Sequence, residues 1–153
     1  MSRLAALALL AAACCPKWVG YDAETGARVE LGAGPMPVGH QLAAHYWSPQ
    51  VGAFALSEPA PGRLEGQLSW TASVSDGGVC PLARTLTGKA KGNRFEFEWS
   101  ETPSPGCGAP RSGHGRAFFG LSGEQGRLFA SWWPNDDDDQ QEAWTAYERG
   151  GTR

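Results

Sequence analysis

Polar and apolar residues alternate with a period of two along much of this chain. Between residues 64 and 74, Leu64, Gly66, Leu68, Trp70, Ala72 and Val74 fall on one face, and Glu65, Gln67, Ser69, Thr71 and Ser73 fall on the other. That is the pattern of a strand with one face buried. Asp76-Gly77-Gly78 ends it, because such residues supply the positive φ of a tight turn. Residues 94–99 repeat the alternation more sharply, with Phe95, Phe97 and Trp99 against Arg94, Glu96 and Glu98. Residues 82–90 form a weaker strand between these two, with Thr85, Thr87, Lys89 and Lys91 sharing a face and Gly92-Asn93 as the hairpin tip that follows.

Residues 116–121 and 127–133 are two more strands about a turn at 122–126, and both of their faces are partly apolar, which leaves their register open. A last strand covers residues 144–149. Nearer the start, residues 38–47 and 51–56 are expected to be strands about Ser48-Pro49, although Val38, Leu42 and His45 also stand at helical spacing. Residues 102–115, rich in proline and glycine around Cys107, are expected to be one long loop. Five to eight short antiparallel strands in sequence make an all-β meander. Curling it into a small barrel of calycin or avidin-like architecture is the economical solution, since closure removes the edges; a β-sandwich is the alternative.

Composition supports many turns over long helices: 21 Gly, 11 Pro and 7 Trp accompany only 19% charged residues. The amino terminus stands apart. Met1-Ser2-Arg3, an apolar run from Leu4 to Leu10 and then Ala11-Ala12-Ala13 have the form of an export signal over residues 1–13. Cys14 directly after small residues resembles the acceptor of a bacterial lipoprotein signal, with Ala11 where that pattern usually has Leu. Residues 14–35 are then a linker with a first strand region, and residues 36–153 a single β domain of ordinary size. The expected location is the bacterial cell envelope, membrane-tethered through the lipid alone, or else secreted or periplasmic. Arg3 leaves with the signal, so 12 Lys and Arg remain against 16 Asp and Glu, a formal charge of −4. That balance argues against a nucleic-acid partner.

Cys80 and Cys107 are the other two cysteines, and in an exported chain they are expected to form a disulfide. No catalytic constellation and no metal site stand out. His40, His45 and His114 are scattered, with no ligand spacing between them. Gly120-Leu121-Ser122-Gly123-Glu124 begins like a nucleophile elbow but ends in Glu and lies between strands. Glu96 and Glu98 share an exposed strand face, and the four aspartates at 136–139 lack the spacing of a calcium loop and read as a solvated turn. No cofactor is expected.

The tryptophans carry the most information, because so large a side chain repeated across short strands builds a core or lines a pocket. Trp70 and Trp99 lie on apolar faces, and of the neighbours Trp132 and Trp133 one must face away from the core. Trp70, Trp99 and Trp132 are the candidate walls of a site for a small apolar or aromatic ligand. Phe97-Glu98-Trp99, residues 127–132, the acidic loop and Ala143-Trp144-Thr145-Ala146 resemble the closing strands of avidin-type barrels. The resemblance covers only the last third of the chain, and no ligand contacts of that family can be matched in the first half. It implies a barrel and nothing about individual residues. The expected function is non-catalytic binding of a small ligand inside the barrel; the alternative is an envelope interaction domain with a filled core, using loop residues 106–115, such as Arg111 and His114.

Overall fold

A computed structural model describes residues 18–22, 25–74 and 76–150. The export signal of residues 1–13 and Cys14 lie outside the described residues. Among the described residues, alternation in the sequence becomes ten strands: β1 (Trp18–Tyr21), β2 (Arg28–Leu31), β3 (His45–Ser48), β4 (Gly52–Ala60), β5 (Arg63–Ser73), β6 (Val79–Lys91), β7 (Arg94–Pro103), β8 (Arg111–Ser122), β9 (Gln125–Pro134) and β10 (Glu142–Arg149). β3 to β10 pair antiparallel with their sequence neighbours, and β10 pairs back onto β3, so the eight strands form a closed barrel. β1 and β2 make a separate hairpin.

Inward positions follow the pleat. Leu64 and Leu68 of β5, Leu86 of β6, Phe95, Phe97 and Trp99 of β7, and Leu128, Ala130 and Trp132 of β9 form one buried cluster inside the barrel. Size alternates across neighbouring strands. Trp99 pairs with Gly113 and Phe97 with Gly115. A Cβ on Gly115 would meet the Phe97 ring, and one on Gly113 would meet the Trp99 indole. The two glycines of β8 are therefore what lets two aromatic side chains lie flat inside a narrow barrel.

Three readings of the sequence change. The strand expected at 38–47 is only β3, from His45; a turn closed by the His40 N–H on the Pro37 carbonyl at 3.1 Å precedes it, and Gly39 has φ of 84°. Val38 is fully exposed, whereas Leu42 is buried and its carbonyl accepts the Tyr46 hydroxyl at 2.9 Å. The long loop expected at 102–115 shrinks to residues 104–110, because Glu101 and Ser100 pair with Arg111 and Ser112 and the glycines beyond are ladder residues. His114 therefore stands on a strand, not in a flexible loop. β9 is apolar on both faces because both are covered: Phe129 and Ser131 point outward yet are buried, and β1 lies against this strand.

The base of the barrel is closed by the segment that leads into β3. Asn93, in the β6–β7 turn, accepts the Gly34 N–H at 2.8 Å and donates to the Gly32 and Phe119 carbonyls, both at 3.1 Å. His40 Nδ1 and Glu148 Oε2, 2.6 Å apart, make a second tie. Asn93→Ala removes three bonds at a buried position and leaves the Phe119 carbonyl without that donor. It is expected to lower stability by about 2–3 kcal/mol, read as a fall in the urea midpoint with the slope unchanged.

Candidate functional site

The two ends of the barrel differ. At the base the hairpins turn within two residues, Pro61-Gly62, Gly92-Asn93 and Gly123-Glu124. At the other end lie the longer connections 74–78, 104–110 and 135–141. Loops on a rigid frame are where binding groups collect, so this mouth is the end to inspect. A disulfide between Cys80 and Cys107, with Cα atoms 5.6 Å apart, ties the start of β6 to the 104–110 loop. The bond expected from the cysteine count is present.

Beneath the mouth, strand parity brings the three candidate tryptophans together. Trp70 and Trp132 are stacked with ring centroids 6.2 Å apart, Trp99 lies 6.3 Å from Trp132, and Trp144 lies 5.3 Å from Trp132. At their centre is Arg84. Its Cζ is 3.9 Å from the Trp99 centroid, 4.0 Å from that of Trp132 and 5.1 Å from that of Trp70. A guanidinium between indole faces gains from the negative π-surfaces, most of all where water is excluded.

Arg84 is 4% exposed and its register partner Glu101 5%. Glu101 Oε2 accepts from Arg84 Nε at 3.2 Å and from Nη2 at 2.7 Å. Burial pulls the Arg84 guanidinium below its ordinary pKa, and the hydrogen bond and charge of Glu101 oppose that pull. Glu142, at the start of β10, accepts the Trp132 indole N–H at 2.8 Å. Three buried donors of the cluster have no partner: Arg84 Nη1, Trp99 Nε1 and Trp144 Nε1. Trp70 is the half-buried member at the rim.

Arg84, Glu101 and Glu142 were missed by reading the tryptophans alone. A signal was present in the strand parity. Arg84 falls in step with Leu82 and Leu86, and Glu101 in step with Phe95, Phe97 and Trp99, so each is a charge on an otherwise apolar stripe.

The remaining candidates are dispersed. Trp133 points outward, its ring 5.4 Å from His114 and 5.1 Å from the Arg116 Cζ. It borders an outer groove of about 1550 Å³ that also includes Glu96 and Glu98. Ion pairs Arg94–Glu96 and Arg63–Glu65 lie along it. His40 is at the base and His45 on the outer face of β3. In the aspartate run the Asp139 N–H bonds Asp137 Oδ1 at 3.1 Å, an arrangement of a local turn. Among the described residues no group of three His, Cys, Asp or Glu side chains is placed to hold a metal ion.

The fold and the cluster define an eight-stranded, antiparallel, closed β-barrel with a buried tryptophan and arginine core at its loop-bearing end. Comparison with protein-family models, with curated proteins and with solved structures found no match to this chain. The barrel implied by the resemblance to avidin-type closing strands is therefore seen as architecture, without a tie to that family.

Proposed function

We propose that this protein is a non-catalytic binder of a small, planar ligand, held at the mouth of the barrel among Trp70, Trp99 and Trp132. The observation that carries the reading is the convergence of four indoles and a buried ion pair at the end where the long loops lie. A core needs no Arg–Glu pair, and an apolar filling of the same volume is commonly at least as stable. Convergent polar groups among aromatic side chains near a barrel mouth support the binding reading. Below the pair Phe97, Leu86, Leu68 and Phe54 fill the barrel, so a ligand would sit at the rim and not deep inside.

Export by residues 1–13 and anchoring through Cys14 belong to the same proposal and rest on the sequence pattern alone. The barrel would then stand on a membrane surface with its mouth in water. Protein expressed with its own leader and purified gently is expected to show, by native mass spectrometry, a small-molecule adduct that denaturation removes. Trp70→Ala, at a half-buried position, is expected to lose the adduct and keep the far-ultraviolet circular dichroism of the wild type. Polypeptide without adduct from its own host would overturn the binding reading. Incorporation of labelled palmitate by wild type and not by Cys14→Ala tests the anchor separately.

A further inference from the structure

The chemistry of the cluster narrows the ligand beyond planarity. Arg84 Nη1, Trp99 Nε1 and Trp144 Nε1 are buried donors with no acceptor. Their residues are 4%, 3% and 2% exposed. Buried polar groups are nearly always hydrogen-bonded, and leaving one unpaired costs about 1–3 kcal/mol. Three in one cluster, all donors, form a deficit of one kind. Whatever completes the site must bring acceptors.

Charge decides which acceptors. Arg84 is already faced by the carboxylates of Glu101 and Glu142, and Arg111 is the other cation that acts on it. The loop above adds the aspartates at 136–139. An anionic ligand would enter a neighbourhood where Arg84 is already paired and Glu101, Glu142 and the loop aspartates outnumber the one further cation, Arg111. A cationic ligand has no better place, because the indole faces that would hold it already hold the Arg84 guanidinium. A neutral ring bearing a carbonyl oxygen answers two of the donors and avoids both penalties.

We infer that the mouth binds a neutral, planar molecule whose carbonyl oxygen accepts from Arg84 Nη1 and from one of the two free indole N–H groups, with its ring against Trp70. Trp70, the half-buried member 5.1 Å from the Arg84 Cζ, is the side chain that would border it at the rim. This inference rests on the mouth being a binding site at all, and the test separates the two.

The test is a titration of the mature protein, as its host processes it, with four probes of one size: benzamide, benzoate, benzylammonium and toluene. Nuclear magnetic resonance of the indole N–H signals supplies a readout at the site itself. Benzamide is expected to shift the Trp99 and Trp144 signals and to bind at least tenfold more tightly than the other three. Of Trp144→Phe and Trp99→Phe, which keep an aromatic ring and delete the donor, the one that removes the bonded indole N–H is expected to weaken benzamide by about tenfold and leave toluene unchanged, and loss in neither overturns the carbonyl bond. If toluene equals benzamide, or either charged probe exceeds it, the neutral-carbonyl class is overturned while the binding site stands. If no probe moves any indole signal of the mouth, the binding site itself falls.

Discussion

Glu101→Leu is expected to destabilise the barrel by about 3–5 kcal/mol, because it leaves the Arg84 guanidinium buried without its counter-charge. The pair is almost fully enclosed, with side-chain exposures of 5% and 6%, so water cannot replace the lost carboxylate without opening the tryptophan cluster. Arg84→Met alone is expected to act in the same direction by abandoning Glu101. The double replacement Arg84→Met with Glu101→Leu is expected to recover most of the loss, since both desolvation penalties disappear together. Urea unfolding of the four proteins forms a double-mutant cycle. A double variant no more stable than either single one would mean that the pair holds the barrel together on its own account. Full recovery, combined with loss of ligand, would mean that the charges are kept for binding.

The second large effect is expected from the disulfide. Cys80 and Cys107 are 27 residues apart, and closing a loop of that length restricts the unfolded chain by about 3–4 kcal/mol in the chain-entropy estimate. Cys80→Ser with Cys107→Ser should therefore lower the melting temperature by about 10 °C for a domain of this size. The bond also ties the 104–110 loop to β6 at the mouth, two strand positions from Leu82 and four from Arg84. Reduction is thus expected to loosen the rim more than the base, with amide exchange rising first in residues 104–110. Uniform acceleration across the barrel would indicate an effect through the unfolded state alone.

Strand parity makes much of this fold legible in the sequence. β5 throughout and β7 as far as Trp99 alternate cleanly, one face packing the barrel and the other meeting water, so these residues read one way only. The same logic failed where both faces are covered. β9 carries Leu128, Phe129, Ala130, Ser131, Trp132 and Trp133 in succession, and nothing local says that β1 lies against its outer side. β8 was half concealed for a different reason. Gly113 and Gly115 look like loop residues, but their lack of a side chain is a requirement of Trp99 and Phe97 on the neighbouring strand. The turn before β3 resembles strand in sequence because Leu42 is apolar and buried without belonging to any ladder. At the site, tryptophan drew attention by size, whereas Arg84 and Glu101 needed the register between β6 and β7 to be seen as partners.

The seam of the barrel has a consequence for how the chain assembles. Seven ladders join strands that follow one another in sequence and can zip up as hairpins while the polypeptide grows. The eighth, which sets Tyr147 against Trp47, Glu148 against Tyr46 and Arg149 against His45, joins positions about a hundred residues apart. Such a contact carries the largest loop-closure entropy and is expected to form last. Until β10 is in place, β3 and β9 are both open edges, each able to pair with another chain. A nascent protein that stalls before residue 142 is therefore a self-templating aggregate in waiting, and the last eight-residue strand is the step that turns a sticky sheet into a sealed one.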